Sequence, residues 1–144
     1  ESVSVQQEVF GGPEGRGEST NASQDAALPA NVLVYRIDGP FFFGAAEKLE
    51  VTVERAQLHV GTVVIHLGRV PFMDATGMHT LAEIIERFQR RGIRVVLCEI
   101  QERLSRTLAR AEILALVGPE NICVDMAEVA RRIAPTGDRS DDSA

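Results

Sequence analysis

Apolar positions along the chain change their spacing several times, and each change marks an element. Val32–Asp38 (VLVYRID) is an apolar run of strand length, closed by the Gly39-Pro40 breaker. Phe41–Phe43 reads as a short second strand. Ala45–Gln57 is helical in composition, with Leu49, Val53 and Ala56 on one face. Thr62–Leu67 (TVVIHL) is continuous and β-branched, as suits the middle of a sheet covered on both sides. Asp74–Arg91 is the clearest helix. Met78, Leu81, Ile84 or Ile85, and Phe88 line one face, and Glu83–Arg87 and Glu86–Arg90 are expected as i,i+4 pairs on the other.

Gly92 stands where a helix-terminating C′ glycine belongs. Ile93–Ile100 (IRVVLCEI) is the next buried strand. Gln101–Ala115 is predicted as one helix with Leu104, Leu108 and Ala111 inward and arginines outward. Ile122–Val124 is a last short strand and Met126–Ile133 a closing helix. A β-β-α-β-α-β-α-β-α order with short connections predicts an α/β fold, a central and mostly parallel sheet of about four to five strands with helices packed on it.

Outside this body the pattern fades. Residues 11–30 are rich in Gly, Ser, Asn and charge, and read as a flexible linker. Within residues 1–10, Val3, Val5, Val9 and Phe10 alternate as a strand that could dock on the sheet would. The end, GDRSDDSA, is expected to be a disordered acidic tail. The organisation is thus an N-terminal segment and linker (1–30), one folded domain (31–134) and a tail (135–144). The chain opens on Glu1 rather than Met, which points to a processed start or a piece of a longer protein.

Composition adds constraints. The 144 residues suffice for one domain with a core of its own. A net charge of -6 disfavours a nucleic-acid binder, and equally a domain held to anionic lipid by a basic patch. No apolar run approaches the ~20 residues that cross a bilayer, so the fragment itself is expected to be soluble. Cys98 and Cys123 lie in apolar stretches and read as buried small hydrophobes, in keeping with a reducing compartment.

Chemistry concentrates in Leu67–His79 (LGRVPFMDATGMH), where a buried strand turns into the long helix. Asp74 is placed to cap that helix, its carboxylate accepting first-turn N–H groups. Thr76 falls in the first turn beside Gly77, where the free amides and the helix dipole favour negative charge. A phosphate there would gain from the helix start, repel Asp74 and alter the surface around it. The plainer reading leaves Asp74 as a cap and Thr76 as an ordinary first-turn residue.

MDATGMHTL resembles the D-x-[ST]-G-x-x-x-L signature of STAS domains, known from anti-sigma factor antagonists and from the cytoplasmic ends of SulP-type anion (sulfate) transporters. The resemblance covers roughly residues 31–134, with VVIHLGRVPF before the signature, GIRVVLCEI after it, and FFFGAAEKLE. The Pro40–Ala46 stretch (PFFFGAA) looks more like the transporter branch. The resemblance implies a regulatory docking module rather than an enzyme, held against the transmembrane transport domain of the same chain on the cytoplasmic side of the inner membrane. It places the family's phosphoacceptor on Thr76 and its acidic neighbour on Asp74, with Asp74, Ala75, Thr76, Gly77, Met78 and His79 as the docking surface. One departure is visible: a strand position often acidic in the family is His66 here.

The alternative is a free-standing phosphoswitch in which Thr76 meets an anti-sigma kinase. The resemblance also brings in acyl carrier protein as an acidic partner and guanine nucleotide as a ligand. Arg103, Arg106 and Arg110 form a basic stripe that could meet either, or simply be a solvated face. A homodimer is compatible with every one of these readings. There is no Walker loop, no catalytic triad and no metal-ligand spacing among His59, His66 and His79. His66 reads as a hydrogen-bonded core histidine, and His79 as a neighbour of Thr76. Phe41, Phe42 and Phe43 read as core and edge packing, or as a partly exposed contact.

Overall fold

The alternation along each strand decides how the molecule is layered. The computed structural model describes residues 31–39, 42–55 and 60–133, with backbone alone for 42 and 43. Strand β1 (Val32–Asp38) pairs in parallel with β2 (Thr62–Arg69), β2 with β3 (Arg94–Cys98), and β3 with β4 (Ile122–Cys123). The sheet order is β1-β2-β3-β4. Parallel neighbours taken in chain order need a crossover each time, and crossovers of one hand put their helices on one face.

That face carries α1 (Phe42–Arg55), α2 (Ala75–Arg90), α3 (Glu102–Arg110) and α4 (Ile113–Val117). Tyr35, Ile37, Ile65, Leu67 and Leu97 meet Leu49, Leu81, Ile85, Phe88 and Leu104 there. Residues of opposite parity, Val32, Val34, Val64, Val96, Cys98 and Cys123, pack with Val129 and Ile133, from and just beyond α5 (Met126–Arg132), in a smaller second cluster. Both cysteines are buried and free, and they are register partners on neighbouring strands.

Helix α2 is bounded as its sequence predicts. Its C-terminus is a Schellman closure: Gly92 (φ +80) donates to Gln89 O at 3.0 Å and Ile93 to Phe88 O at 2.9 Å. Tyr35 carries a polar group into the core, where its hydroxyl donates to Ala45 O at 2.8 Å.

Several expectations are corrected. Phe42 and Phe43 belong to the first turn of α1, not to a strand. Ala45, Ala46, Leu49 and Val53 are all buried at helical spacing, and that face extends the helix back toward the Gly-Pro breaker. Phe41, Ala56, Gln57 and His59 lie outside the described residues, as do the N-terminal strand, the linker and the tail.

The helix expected over Gln101–Ala115 is two. Glu112 takes a left-handed conformation (φ +65) that separates α3 from α4. A straight continuation would have aimed Ala111 and Ala115 inward; the break exposes both and buries Ile113 and Val117 instead. More apolar area leaves water that way. Strand β4 stops at Cys123, leaving Val124 exposed.

The ion pairs also differ from the sequence pattern. Arg87 pairs with Glu50 and Arg91 with Glu54, both across to α1, while Glu83 binds His79 at 3.2 Å. Packing α1 beside α2 brings those carboxylates within reach, a proximity helical spacing cannot reveal.

Candidate functional site

The carboxyl ends of parallel strands are where an open α/β sheet presents its loops. Here the β2–α2 loop runs from Val70 to the Asp74 cap, after β2 ends at Arg69. It is anchored by Val70 and Met73, both buried. Met73 precedes the cap and Met78 occupies the fourth helical position, the two places of a hydrophobic staple, and both pack against the main core. Pinned at these points, the loop displays Phe72 at 51% exposure.

Asp74 is the N-cap of α2: its Oδ1 accepts the Gly77 N–H at 2.8 Å. Ala75, Thr76 and His79 are exposed, Gly77 is buried and Met78 is half-buried. The Thr76 carbonyl accepts the Thr80 hydroxyl at 3.0 Å. Of the residues expected to form a surface here, Asp74, Ala75, Thr76 and His79 are exposed, with His79 turned to Glu83 on its own helix. Replacing Asp74 with alanine should cost about 1 kcal/mol, seen as a lower urea midpoint with an unchanged slope.

Two residues that the sequence reading did not attach to this site support the loop from below. Gln101 Nε2 donates to Gly68 O at 2.9 Å and so ties the start of α3 to the end of β2, just before the loop. Glu99 Oε2 lies 3.3 Å from His66 Nε2. Glu99 also takes a left-handed backbone (φ +56) directly after β3, a conformation non-glycine residues seldom adopt. No spacing rule would have paired it with His66; only the parallel register of β2 and β3 does.

His66 is 7% exposed and its Nδ1 accepts the Gly68 N–H at 3.3 Å. It is thus a hydrogen-bonded core histidine, as its place in an apolar strand implies. Burial first, then the Arg36 cation, holds the ring below its ordinary value of 6.5, against the raising influence of Glu99. Since the unfolded chain then takes up the proton more readily, stability declines as pH falls below 6.5. Burial likewise pushes the Cys98 thiol up and keeps it neutral.

Arg103, Arg106 and Arg110 are all exposed on α3, and Arg106 pairs with Glu102 at 3.1 Å. Among the described residues no group of three or more His, Cys, Asp or Glu side chains could hold a metal ion, and no helix is long and apolar enough to cross a membrane.

A family model described as "STAS domain" matches residues 24–129. The fold is similar to the STAS domain of a SulP transporter from Vibrio cholerae, at a TM-score of 0.68 and 34% identity, covering 85% of this chain and 94% of that one. It is also similar to a putative anti-sigma factor antagonist from Thermotoga maritima, at a TM-score of 0.60 over 74% of this chain and 90% of that one. At 14% identity that second likeness speaks for the fold alone. A putative sulfate transporter of Bacillus subtilis is 25% identical over 92 residues, 63% of this chain. The chain spans only 17% of that transporter's length.

Proposed function

The chain belongs to the STAS domain family, and from that premise we propose that it is the cytoplasmic regulatory and docking domain of a SulP-type inorganic anion transporter. It would lie on the cytoplasmic side of the inner membrane, packed against the transmembrane transport domain of the same protein, and would carry out no reaction of its own. The transported anion would be sulfate, bicarbonate or a relative. The 34% identity to a SulP transporter's STAS domain and the likeness to curated sulfate transporters support this branch over a free-standing phosphoswitch.

The observation that carries the docking reading is the display of Phe72. A half-exposed aromatic between two buried anchors, followed by the exposed Ala75 and Thr76, is a rigid apolar contact with a polar rim. Thr76 gives the same surface a hydroxyl at which a phosphate would add about two negative charges. Such a group would face Asp74 and weaken docking to any acidic partner.

The test uses the whole reading frame that encodes the chain. Hydrophobic spans of ~20 residues upstream of Glu1 are expected, and their absence would sink the transporter reading. In the complete protein, Phe72→Asp and Thr76→Glu should each lower uptake of labelled sulfate or bicarbonate several-fold. The stability of the isolated domain should stay within about 0.5 kcal/mol, as for an exposed substitution. Unchanged uptake in both variants would remove this surface from consideration.

A further inference from the structure

The cluster beneath the loop has a property that a capped helix and an exposed aromatic do not explain. We propose that His66 and Gly68 form a proton-operated latch on the β2–α2 loop, closed while the imidazole is neutral and released when it takes up a proton.

The hydrogen bonds define the state of the ring. A carboxylate only accepts, so the Nε2 facing Glu99 Oε2 at 3.3 Å carries the hydrogen. Nδ1 accepts from the Gly68 N–H and must present its lone pair. The two contacts are satisfied together only by the neutral tautomer protonated on Nε2. A second proton has one place to go, Nδ1, and there it turns an acceptor into a donor facing the Gly68 N–H. That bond is then lost. The opposite contact strengthens, because an imidazolium and the Glu99 carboxylate attract. The ring stays and the loop lets go.

The position of Gly68 makes it the sensitive end of the pair. A Cβ there would lie 2.8 Å from His66 Cε1 and 2.9 Å from Glu99 Oε1, so only glycine brings its backbone this close. Its carbonyl is held by Gln101. With the amide released, the segment leading through Phe72 to the Asp74 cap keeps that hydrogen bond, the Gly39 N–H to Arg69 O bond at 3.0 Å, the Val70–Leu67 turn and the buried Val70 and Met73.

The charges around the ring set the direction. From β1, Arg36 is its register partner and opposes protonation; from the end of β2, Arg69 opposes it too, though Asp38 lies 3.7 Å from Arg69. From just after β3, Glu99 favours it, and the neighbouring Cys98 thiol is neutral. On the α5 side, Met126 Sδ covers Cys98 Sγ at 3.6 Å, and Asp125, which caps that helix, acts on the same thiol. Burial and the arginines keep the ring neutral and the latch closed at neutral pH, and proton uptake against them on acidification opens it.

The latch matters to function only if the loop is a docking surface, but its test does not depend on that reading. The whole chain is titrated by NMR between about pH 8 and 5, following the His66 ring, the Gly68 amide shift and amide exchange protection. The ring and the Gly68 amide should share one midpoint, with Gly68 protection falling about 2–10-fold across it, the span of one net hydrogen bond. Glu99→Gln should move that shared midpoint to lower pH. His66→Asn, which keeps an acceptor near Nδ1 and cannot titrate, should leave Gly68 insensitive to pH. A ring that titrates while Gly68 stays unchanged would overturn the latch. So would a Glu99→Gln midpoint that stays put or rises. Loss of the docking reading in the uptake assay would leave both NMR outcomes standing.

Discussion

Truncating Phe88 to alanine should remove about 3–5 kcal/mol of stability, among the larger effects expected of a core truncation in the domain. Phe88 is wholly buried in the last full turn of α2 as part of the main core, and α2 packs against α1, α4 and β3. Its carbonyl also receives the Arg91 and Ile93 N–H groups that close the helix. The substitution leaves that backbone closure intact and empties the space beside it. A rigid parallel sheet on one side and two helices on the others can refill little of the void. The measurement is a urea titration, with the midpoint falling and the slope unchanged. A loss under about 1 kcal/mol would mean that the site collapses around the cavity. Helix α2 would then be less firmly seated than its burial implies. Because α2 presents Asp74 and Thr76, its seating also gives the proposed docking surface a fixed shape.

Gly68→Ala should cost about 1–3 kcal/mol through a single added methyl group. The new Cβ would press on His66 Cε1 at 2.8 Å and on Glu99 Oε1 at 2.9 Å. The Glu99 carboxylate can swing away toward solvent; the walled-in imidazole cannot. Relief therefore comes by separating the pair, which draws the Glu99 carboxylate away from the buried ring. Two readouts should move together: the urea midpoint falls, and the His66 ring titrates at lower pH, because the raising influence of Glu99 is lost. A variant as stable as the parent, with its ring titration unmoved, would show that the loop can shift without strain. The contrast with Gly92 is informative, since nothing lies within 4 Å of a Cβ there and its glycine serves only the positive φ.

Much of this architecture was legible in residue spacing. Two apolar strands, the long helix between them, its Asp74 cap and its Gly92 stop follow from local rules, because capping and burial parity act over a few residues. The errors fell where one local rule met a non-local one. Phe42 and Phe43 have strand propensity, but a helix running to Arg55 outweighs a strand too short to hold a ladder. Glu83 and Arg87 are ideally spaced to pair, yet Glu50 arrives from another helix and takes the arginine.

The candidate site divides in the same way. Asp74, Thr76 and the exposed helix start could be read from the chain, since helical geometry alone determines where a first turn lies. The display of Phe72, the break at Glu112, and the gathering of His66, Gly68, Glu99 and Gln101 could not. Those depend on the parallel register that sets β2 beside β3, and on which of several apolar surfaces wins the core. By itself the sequence determined the main strands, the long helix between β2 and β3, and where that helix starts and stops. Only the tertiary structure decided which charges face one another. Coulomb energies and hydrogen bonds act through a few ångströms of space, whatever the distance along the chain.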